Sequence, residues 1–416
     1  MSKYKIIVVV VFAFWAAWLP RPGLAQMAQG QYEEEAPVRT WNIFGPTGAA
    51  GLGLGETTFT QASDASVLFT NPALMTRLPR LAVSVSGSFQ FASFFRYGPV
   101  NTGPVYTSGN AGLKITAADF AAVTVRVLGW RVGLGLALGE IYDRPPVEAR
   151  STQYTYLFSF KQAGYLRTLN LSLGREVAAG LSLGLGFNLV SGRWEWNLTD
   201  AWSGVTISDI RTRSFKGYFF NGGLHWQASA GLSLAAAFRA PYQRKASSRS
   251  HLRYSAQAAD ILIQADGEDT FRQPLVLGLG LDWKLLDRLK LAGQVSYWNW
   301  SSYRASLFGE ELTRDFRDVW KAGLGLEYMN WFRLFQQEFD LPSRIGLVYD
   351  PQPMNSPRSS YLNFSLGFGL QWKGVQLDLG TIIGAEKGSS WNLTANQIAL
   401  TLTLSSGPKP AKGKHG

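Results

Sequence analysis

The sequence predicts an all-β fold: a transmembrane antiparallel β-barrel of about 14 strands. Three observations predict it. Large apolar residues alternate with glycine and small polar residues from about residue 80 to 404. Aromatic residues gather near the ends of the alternating runs. Tight links and longer links take turns along the chain.

The first element is a leader at residues 1–25. Lys3 and Lys5 precede an apolar run from Ile6 to Leu19; Pro20 and Pro22 break it, and Gly23 and Ala25 are the small residues that a signal peptidase reads. A membrane anchor would need roughly 20 apolar residues, more than this run supplies. Cleavage after Ala25 makes Gln26 the mature start, and with no Cys there the chain is not a lipoprotein. Past residue 19 no run is long enough for a membrane-spanning helix.

Composition narrows the function classes. With Cys 0 and His 3 in 416 residues, disulfides, thiolate nucleophiles and most metal sites drop out, and no cofactor is expected. Removing Lys3, Lys5 and Arg21 leaves 37 basic against 29 acidic residues, a net +8 spread along the chain. Nucleic-acid binding would need a concentrated basic face, so none is expected.

The barrel elements follow from period two, because strand side chains point to opposite faces in turn. Leu362, Phe364, Leu366, Phe368, Leu370 and Trp372 fall on one face; Asn363, Ser365, Gly367, Gly369 and Gln371 fall on the other. The same pattern marks strands near 80–96, 119–128, 130–142, 163–175, 180–197, 214–228, 231–254, 271–284, 287–303, 315–329, 342–350, 359–373, 374–387 and 392–404. A soluble sandwich also alternates, with its apolar face inward. Here the second face is glycine and small polar groups, a poor solvent-facing strand surface. Trp130, Tyr142, Trp194, Trp196, Trp226, Trp283, Tyr297, Trp331, Trp372 and Trp391 lie near strand ends, as interfacial girdles do. Tight links such as Leu128-Gly129 and Lys373-Gly374 belong on the periplasmic side, and longer segments such as 143–162, 198–213 and 255–270 outside. The stretch 330–341 is long where a turn belongs; it reads as a short amphipathic helix or as a strand edged too early.

Residues 26–79 do not alternate. They run through GPTGAAGLGLGE to QASDASVLFTNPALMTRLP. Such a segment sits inside the lumen or hangs in the periplasm; joined directly to a first strand, it is expected inside. Asn-Pro is a common turn opener, because Pro fixes one φ angle and Asn bonds its own backbone.

This stretch, with Asp64-Ala65-Ser66 and Asn71-Pro72-Ala73 after a Gly-rich run, resembles the start of the FadL/TodX family of outer-membrane transport proteins for hydrophobic compounds. Ser343–Asp350 with Pro353 beyond looks like a late strand and Pro-containing loop of that family. The chain departs from the pattern in its basic tail, where a terminal Phe is common, and in the 330–341 stretch. The resemblance implies a 14-stranded barrel (80–404) plugged by an N-terminal hatch (26–79), followed by a tail at 405–416. It implies passive uptake of fatty acids or aromatic hydrocarbons, by capture near the outer loops, passage to the hatch and sideways exit at a kinked early strand. The hatch motif would be Asp64, Ser66, Asn71, Pro72 and Ala73. Gly133, Gly135 and Gly139 in the third strand are where a lateral gap forms most easily.

By phase, Phe219, Trp298 and Trp300 point inward and, with Phe69 of the hatch, are the expected ligand-binding residues. Asp282, Glu327 and Asp378 also point inward; they are expected to pair with Lys290, Arg131 or hatch backbone. His225 stands without a Ser or Cys framework, so no enzyme is expected. The expected partners are a hydrophobic small molecule, outer-membrane lipid and lipopolysaccharide, for a monomer in the outer membrane of a diderm bacterium. The alternative reading is a non-transporting barrel that serves as scaffold or secretion-machinery subunit, with a sealed lumen. On the strand 359–373, Leu366→Arg is expected to be harmful and Gly367→Ser mild.

Overall fold

The computed structural model describes residues 42, 44–93, 105–109, 112–151, 156–257, 259–356, 358–388 and 394–406. The leader, residues 26–41, Trp391 and the tail beyond 406 lie outside the described residues.

Strand segments numbered in chain order build a closed antiparallel wall of 14 strands. It begins with β1 (Leu81–Ser93), then β3 (Gly112–Val127) and β4 (Trp130–Ile141), extended by β5 (Arg144–Ser151), against which β2 (Val105–Gly109) pairs. Next come β6 (Tyr156–Ala178), β7 (Leu181–Trp202) and β8 (Val205–Ser229). The seventh wall strand is β9 (Leu232–Arg239) with β10 (Tyr242–Ala256), and the eighth β11 (Ala259–Gln273) with β12 (Val276–Leu286). Then follow β13 (Leu289–Trp298), with β14 (Arg304–Leu307) and β15 (Glu310–Leu312) beyond it, β16 (Val319–Leu334) and β17 (Gln337–Pro351). The wall ends with β18 (Ser360–Trp372), β19 (Val375–Lys387) and β20 (Thr394–Ser406), which closes on β1 from Leu81↔Ser406 to Ala92↔Ala395.

The polarity of the wall is inverted relative to a soluble protein. Leu134, Leu185, Leu279, Phe364 and Leu379 are exposed, while Asn170, Asn188, Ser365, Asp378 and Thr401 are buried. Lipid is the only solvent that makes such an outer face favourable. Trp130, Trp226, Trp283, Trp331 and Trp372 stand exposed beside the short turns; Tyr218, Trp320 and Tyr349 stand exposed toward the other end. Trp320 and Tyr328 lie on the same outward face of one strand. Their separation is about 26 Å of strand at ~3.3 Å per residue, or about 20 Å across the membrane at a tilt near 40°, within the ~25 Å apolar band of such barrels.

Three expectations need correction. Tyr142 and Trp194 are buried in the lumen, so they are not girdle residues; Trp196 packs beside them. Among the described residues, the segments 143–151, 156–162, 198–213, 255–257 and 259–270 do not read as loops but mostly as ladder continuations: β7 and β8 pair from Leu181↔Trp226 to Trp202↔Val205. Their alternation fades because both faces meet water there, while the hydrogen-bonded ladder continues. The 330–341 stretch is strand on both sides of a two-residue turn, Phe335-Gln336, both with positive φ (47° and 61°). No Gly, Asn or Pro announces that turn.

Residues 44–79 fill the interior. They form α1 (Ala49–Gly53), α2 (Val67–Thr70) and a 3-10 helix at Pro72–Arg77. Their backbone is satisfied by the wall on many sides: Ala49 N–H donates to Thr401 Oγ1, Gly55 N–H to Ser365 Oγ, Thr58 and Phe59 N–H to Gln294 Oε1, and Ala65 N–H to Ser84 Oγ. A buried irregular segment needs such partners, because each unpaired backbone group costs about 1–3 kcal/mol.

Candidate functional site

The interior segment turns at Asn71, which is fully buried. Ala73 N–H donates to Asn71 Oδ1 at 3.2 Å, capping the 3-10 helix with Pro72 as its first residue. Asn71 Nδ2 donates to the Phe59 carbonyl at 2.8 Å and to the Leu224 carbonyl of β8 at 3.2 Å. One side chain thus ties a turn, a neighbouring pass of the segment and the wall. The wall makes room with glycine: a Cβ on Gly223 would lie 2.1 Å from Asn71 Oδ1, and one on Gly184 2.2 Å from Ala73 N. Asp64 is buried and accepts the Ser66 N–H at 2.8 Å. Burial holds its carboxyl above the usual range, against the hydrogen bonds from Ser66.

Below this turn, toward the short-turn end, the lumen is polar. Lys290 pairs with Glu327 at 3.0 Å and with Asp282 at 3.7 Å; Arg344 bridges Glu327 at 2.6 Å and Asp378 at 2.7 Å. Lys290 Nζ also donates to Gln61 Oε1, and Gln61 Nε2 to Asp282 Oδ2, which attaches the interior segment to the network. The inward carboxylates therefore do find Lys290, but Arg344 is the partner that phase alone left out. Arg131 takes a different role, donating to the carbonyls of Leu78 at 2.6 Å and Pro79 at 2.7 Å where the segment joins the wall. His225 lines the same polar cavity as Arg77, Lys290 and Arg344.

Above the turn lies a second cavity, lined by Phe44, Phe69, Leu166, Val190, Phe219 and Trp300 together with Arg239, Tyr242 and Arg244. Its floor is Phe69 on α2. Arg244 is buried, pairs with Glu140 at 3.0 Å, and lies over the rings of Phe215 and Phe271 at 5.4 and 5.5 Å. Glu140 also accepts the Tyr142 hydroxyl. Arg244 Nε is buried without a hydrogen-bond partner. Free space here is about 50 Å³, a third of the ~150 Å³ of an engineered cavity that takes benzene. The upper and lower cavities share no lining residue. Between them the interior segment packs Leu68, Leu74 and Met75 in one apolar cluster with Phe120 and Ala137 of the wall.

Of the residues marked by sequence, Phe69, Phe219 and Trp300 line the upper cavity. Trp298 stands one layer behind, stacked on Trp300 at 6.2 Å, with the Arg239 guanidinium over its ring at 5.1 Å. Gly133 and Gly135 lie in an unbroken ladder, opposite Thr124 and Ala122 of β3 and Ser172 and Asn170 of β6. They face the interior segment: a Cβ on Gly133 would lie 2.1 Å from Leu68 Cδ2, and one on Gly135 2.7 Å from Phe69 Cζ. Gly139 is different, falling at a register shift between Leu138 and Glu140, past the end of the β3–β4 ladder at Phe120↔Ala137. Reading the sequence by phase missed Arg239 and Arg244. The available signal was a pair of arginines at inward positions on either side of Ala240-Pro241.

Comparison with known proteins places this arrangement. The family model described as outer membrane protein transport protein (OMPP1/FadL/TodX) matches residues 47–404. Among solved structures, a Pseudomonas aeruginosa FadL homologue superposes with a TM-score of 0.60 at 14% identity, covering 87% of this chain and 99% of that one. The Ralstonia pickettii toluene transporter TbuX gives 0.60 at 14% identity, with 88% and 98% covered. The Pseudomonas putida toluene transporter TodX gives 0.59 at 13% identity, with 88% and 99% covered. At these identities the structures share the fold. No curated protein matches the sequence.

Proposed function

The chain belongs to the OMPP1/FadL/TodX family of outer membrane transport proteins, and from that premise we propose that it carries hydrophobic small molecules through the outer membrane by passive diffusion, with long-chain fatty acids as the favoured class. The observation that carries this reading is the upper cavity, where apolar rings and two buried arginines, Arg239 and Arg244, line one space above the interior segment. A carboxylate is the group that this pairing of an apolar lining with buried guanidinium recognises; charge-assisted hydrogen bonds of that kind contribute about 1.5–3 kcal/mol. A neutral arene would leave the Arg244 Nε as it is. A scaffold barrel has no use for such a cavity.

Residues 26–79 act as the hatch, with Asp64, Ser66, Asn71, Pro72 and Ala73 holding its turn. Because the cavity is small and closed below, a ligand enters by displacing side chains, and it moves on only when the hatch shifts or the wall parts. The end of the β3–β4 ladder at Gly139 supports a sideways exit there. The protein works as a monomer surrounded by lipid and lipopolysaccharide, with no cofactor and no catalytic step.

Uptake of radiolabelled oleate and toluene by cells expressing the protein tests this. The Arg244→Gln variant should lose about tenfold in oleate uptake, equivalent to ~1.4 kcal/mol, with a much smaller change for toluene. Equal oleate uptake by a folded variant would overturn the carboxylate assignment. A wild type that speeds neither compound over an empty-vector control would overturn transport itself.

A further inference from the structure

On the outside of the wall, basic side chains gather at one level on one side. Arg193 on β7, Lys216 on β8, Lys245 on β10 and Arg272 on β11 are exposed on the outward face. Each lies about 12–14 residues outward of the short-turn end of its wall strand, at Leu181, Ser229, Leu232 and Leu286. At ~3.3 Å per residue and a tilt near 40° that is about 33 Å above the short turns, beyond the outer edge of a ~25 Å apolar band. The four occupy neighbouring wall strands, which stand ~4.8 Å apart. Toward the same end, β16 and β17 present Trp320 and Tyr349 instead.

These cations are only partly compensated. Lys216 and Lys245 are direct cross-strand partners, and like charges so placed repel. Lys245 pairs with Glu268 at 2.7 Å, while no carboxylate pairs with Lys216 among the described residues. Arg193 meets Glu195 at 3.9 Å. Its guanidinium and that of Arg167 on β6 lie over one ring, Tyr165, at 5.6 and 4.6 Å. The next acidic residue outward on β11, Asp266, is engaged by Arg249 at 2.9 Å.

Just below the cations the surface turns apolar and concave. The β8–β9 ladder ends at Asn221↔Arg239 and the β8–β10 ladder resumes at Gly217↔Arg244, so four residues, 240–243, run beside three, 218–220. An extra residue on one side bends a wall, and here a concavity of about 900 Å³ lies on the outer surface. Lys216 and Lys245 line its outer end; Tyr218, Phe220 and Pro241 line its membrane end. Phe187 extends the apolar floor, with ring centroids 6.1 Å from Tyr218 and 5.3 Å from Phe220.

We propose that this surface binds a phosphorylated, multiply acylated lipid of the outer leaflet, of lipid A chemistry. Its phosphates lie among Arg193, Lys216, Lys245 and Arg272, and its acyl chains run down over Tyr218, Phe220 and Phe187. Guanidinium and ammonium groups form charge-assisted hydrogen bonds with phosphate oxygens. A free phosphate would use the cations alone and gain nothing from the apolar concavity beneath them, whereas an acylated phosphate uses both. The site is independent of what the barrel carries and rests on the outer-membrane placement that the family match gives.

Purified protein in detergent micelles, titrated with lipid A, dephosphorylated lipid A and inorganic phosphate and read by native mass spectrometry, tests this. Lipid A should bind about tenfold more tightly than its dephosphorylated form, and inorganic phosphate at the same concentration should not displace it. Lys216→Gln/Lys245→Gln, with the folded, heat-modifiable gel band retained, should weaken lipid A binding about tenfold, and Lys216→Arg should keep it. Arg249→Gln/Arg253→Gln, farther out on β10, should leave it unchanged. Equal binding of the two lipids overturns the site, as does a folded Gln pair with wild-type affinity. An equal loss in the outer Arg pair overturns it in favour of unspecific attraction, and displacement by inorganic phosphate in favour of a free anion. If the Gln pair does not fold, the two lipids on wild type decide.

Discussion

Asn71 concentrates three hydrogen bonds on one buried side chain, and the glycines opposite it have no alternative. Gly223→Ala would push a methyl into Asn71 Oδ1, an overpacking that costs about 1–3 kcal/mol. Gly293→Ala is the matched control, since its Cβ would meet only Leu324 Cδ1 at 3.9 Å. Urea unfolding followed by heat modifiability should show a lowered midpoint for the first and none for the second. Asp64 gives a pH-dependent case. Its carboxyl is raised by burial above an ordinary value of 3.8, so the folded state holds the proton longer than the unfolded chain. Stability is then lost as pH climbs from that ordinary value through the raised one, and the cost persists above it. Asp64→Asn keeps an oxygen for the Ser66 N–H and removes the ionisation; it should match wild type at pH 3 and be at least as stable at pH 8. Asp64→Ala, lacking the acceptor, should lose about 1 kcal/mol at pH 3, where the wild-type carboxyl is protonated. An Asn variant weaker than wild type at pH 8 would contradict this account.

At the scale of elements, the β16–β17 hairpin turns on two residues that are not glycine. Phe335 and Gln336 both hold left-handed φ, which costs a side-chain-bearing residue about 1–2 kcal/mol. Gln336→Gly should recover about 1 kcal/mol, read as a higher urea midpoint; an unchanged or lower midpoint would mean that the turn carries no strain. This hairpin also shows why the 330–341 stretch was hard to edge from sequence. Trp331-Phe332 and Leu334-Phe335 are adjacent apolar pairs that break the period of two, and the usual turn punctuation is missing. The tall hairpins of β6, β7, β8, β10 and β11 failed to announce themselves for the opposite reason. Thr206 to Arg213 has strand propensity but no apolar face, because water lies on both sides.

For the whole molecule, each wall strand separates two different environments, and Leu366 and Gly367 sample both. Leu366 faces outward among exposed Phe364 and Phe368, so Leu366→Arg places a charge in the apolar band at about 2–4 kcal/mol. It should diminish the heat-modifiable band in outer-membrane fractions. Gly367→Ser, expected to be mild when the lumen face is imagined as wet, is not: a Cβ there would lie 3.0 Å from Gly53 Cα and 3.3 Å from Arg344 Cβ. It should loosen the seat of α1, measured as faster proteolysis within residues 44–79, while Leu366→Arg acts on the wall. Fractionation of both variants as soluble periplasmic proteins would contradict the barrel.

Period two, turn residues and the girdle tryptophans were enough to read a membrane barrel of this size from the sequence, because those signals are local: each depends on a residue and its neighbours within one strand. The Asp-Ala-Ser and Asn-Pro-Ala steps of the interior segment were legible for the same reason. What meets across the lumen was not. Arg344 reaches Glu327 and Asp378 from other strands, and Gly184 and Gly223 are small because Asn71-Pro72-Ala73 presses on them. Those pairings depend on the register and curvature of the closed wall, which join residues tens to hundreds of positions apart; only the tertiary structure decided them.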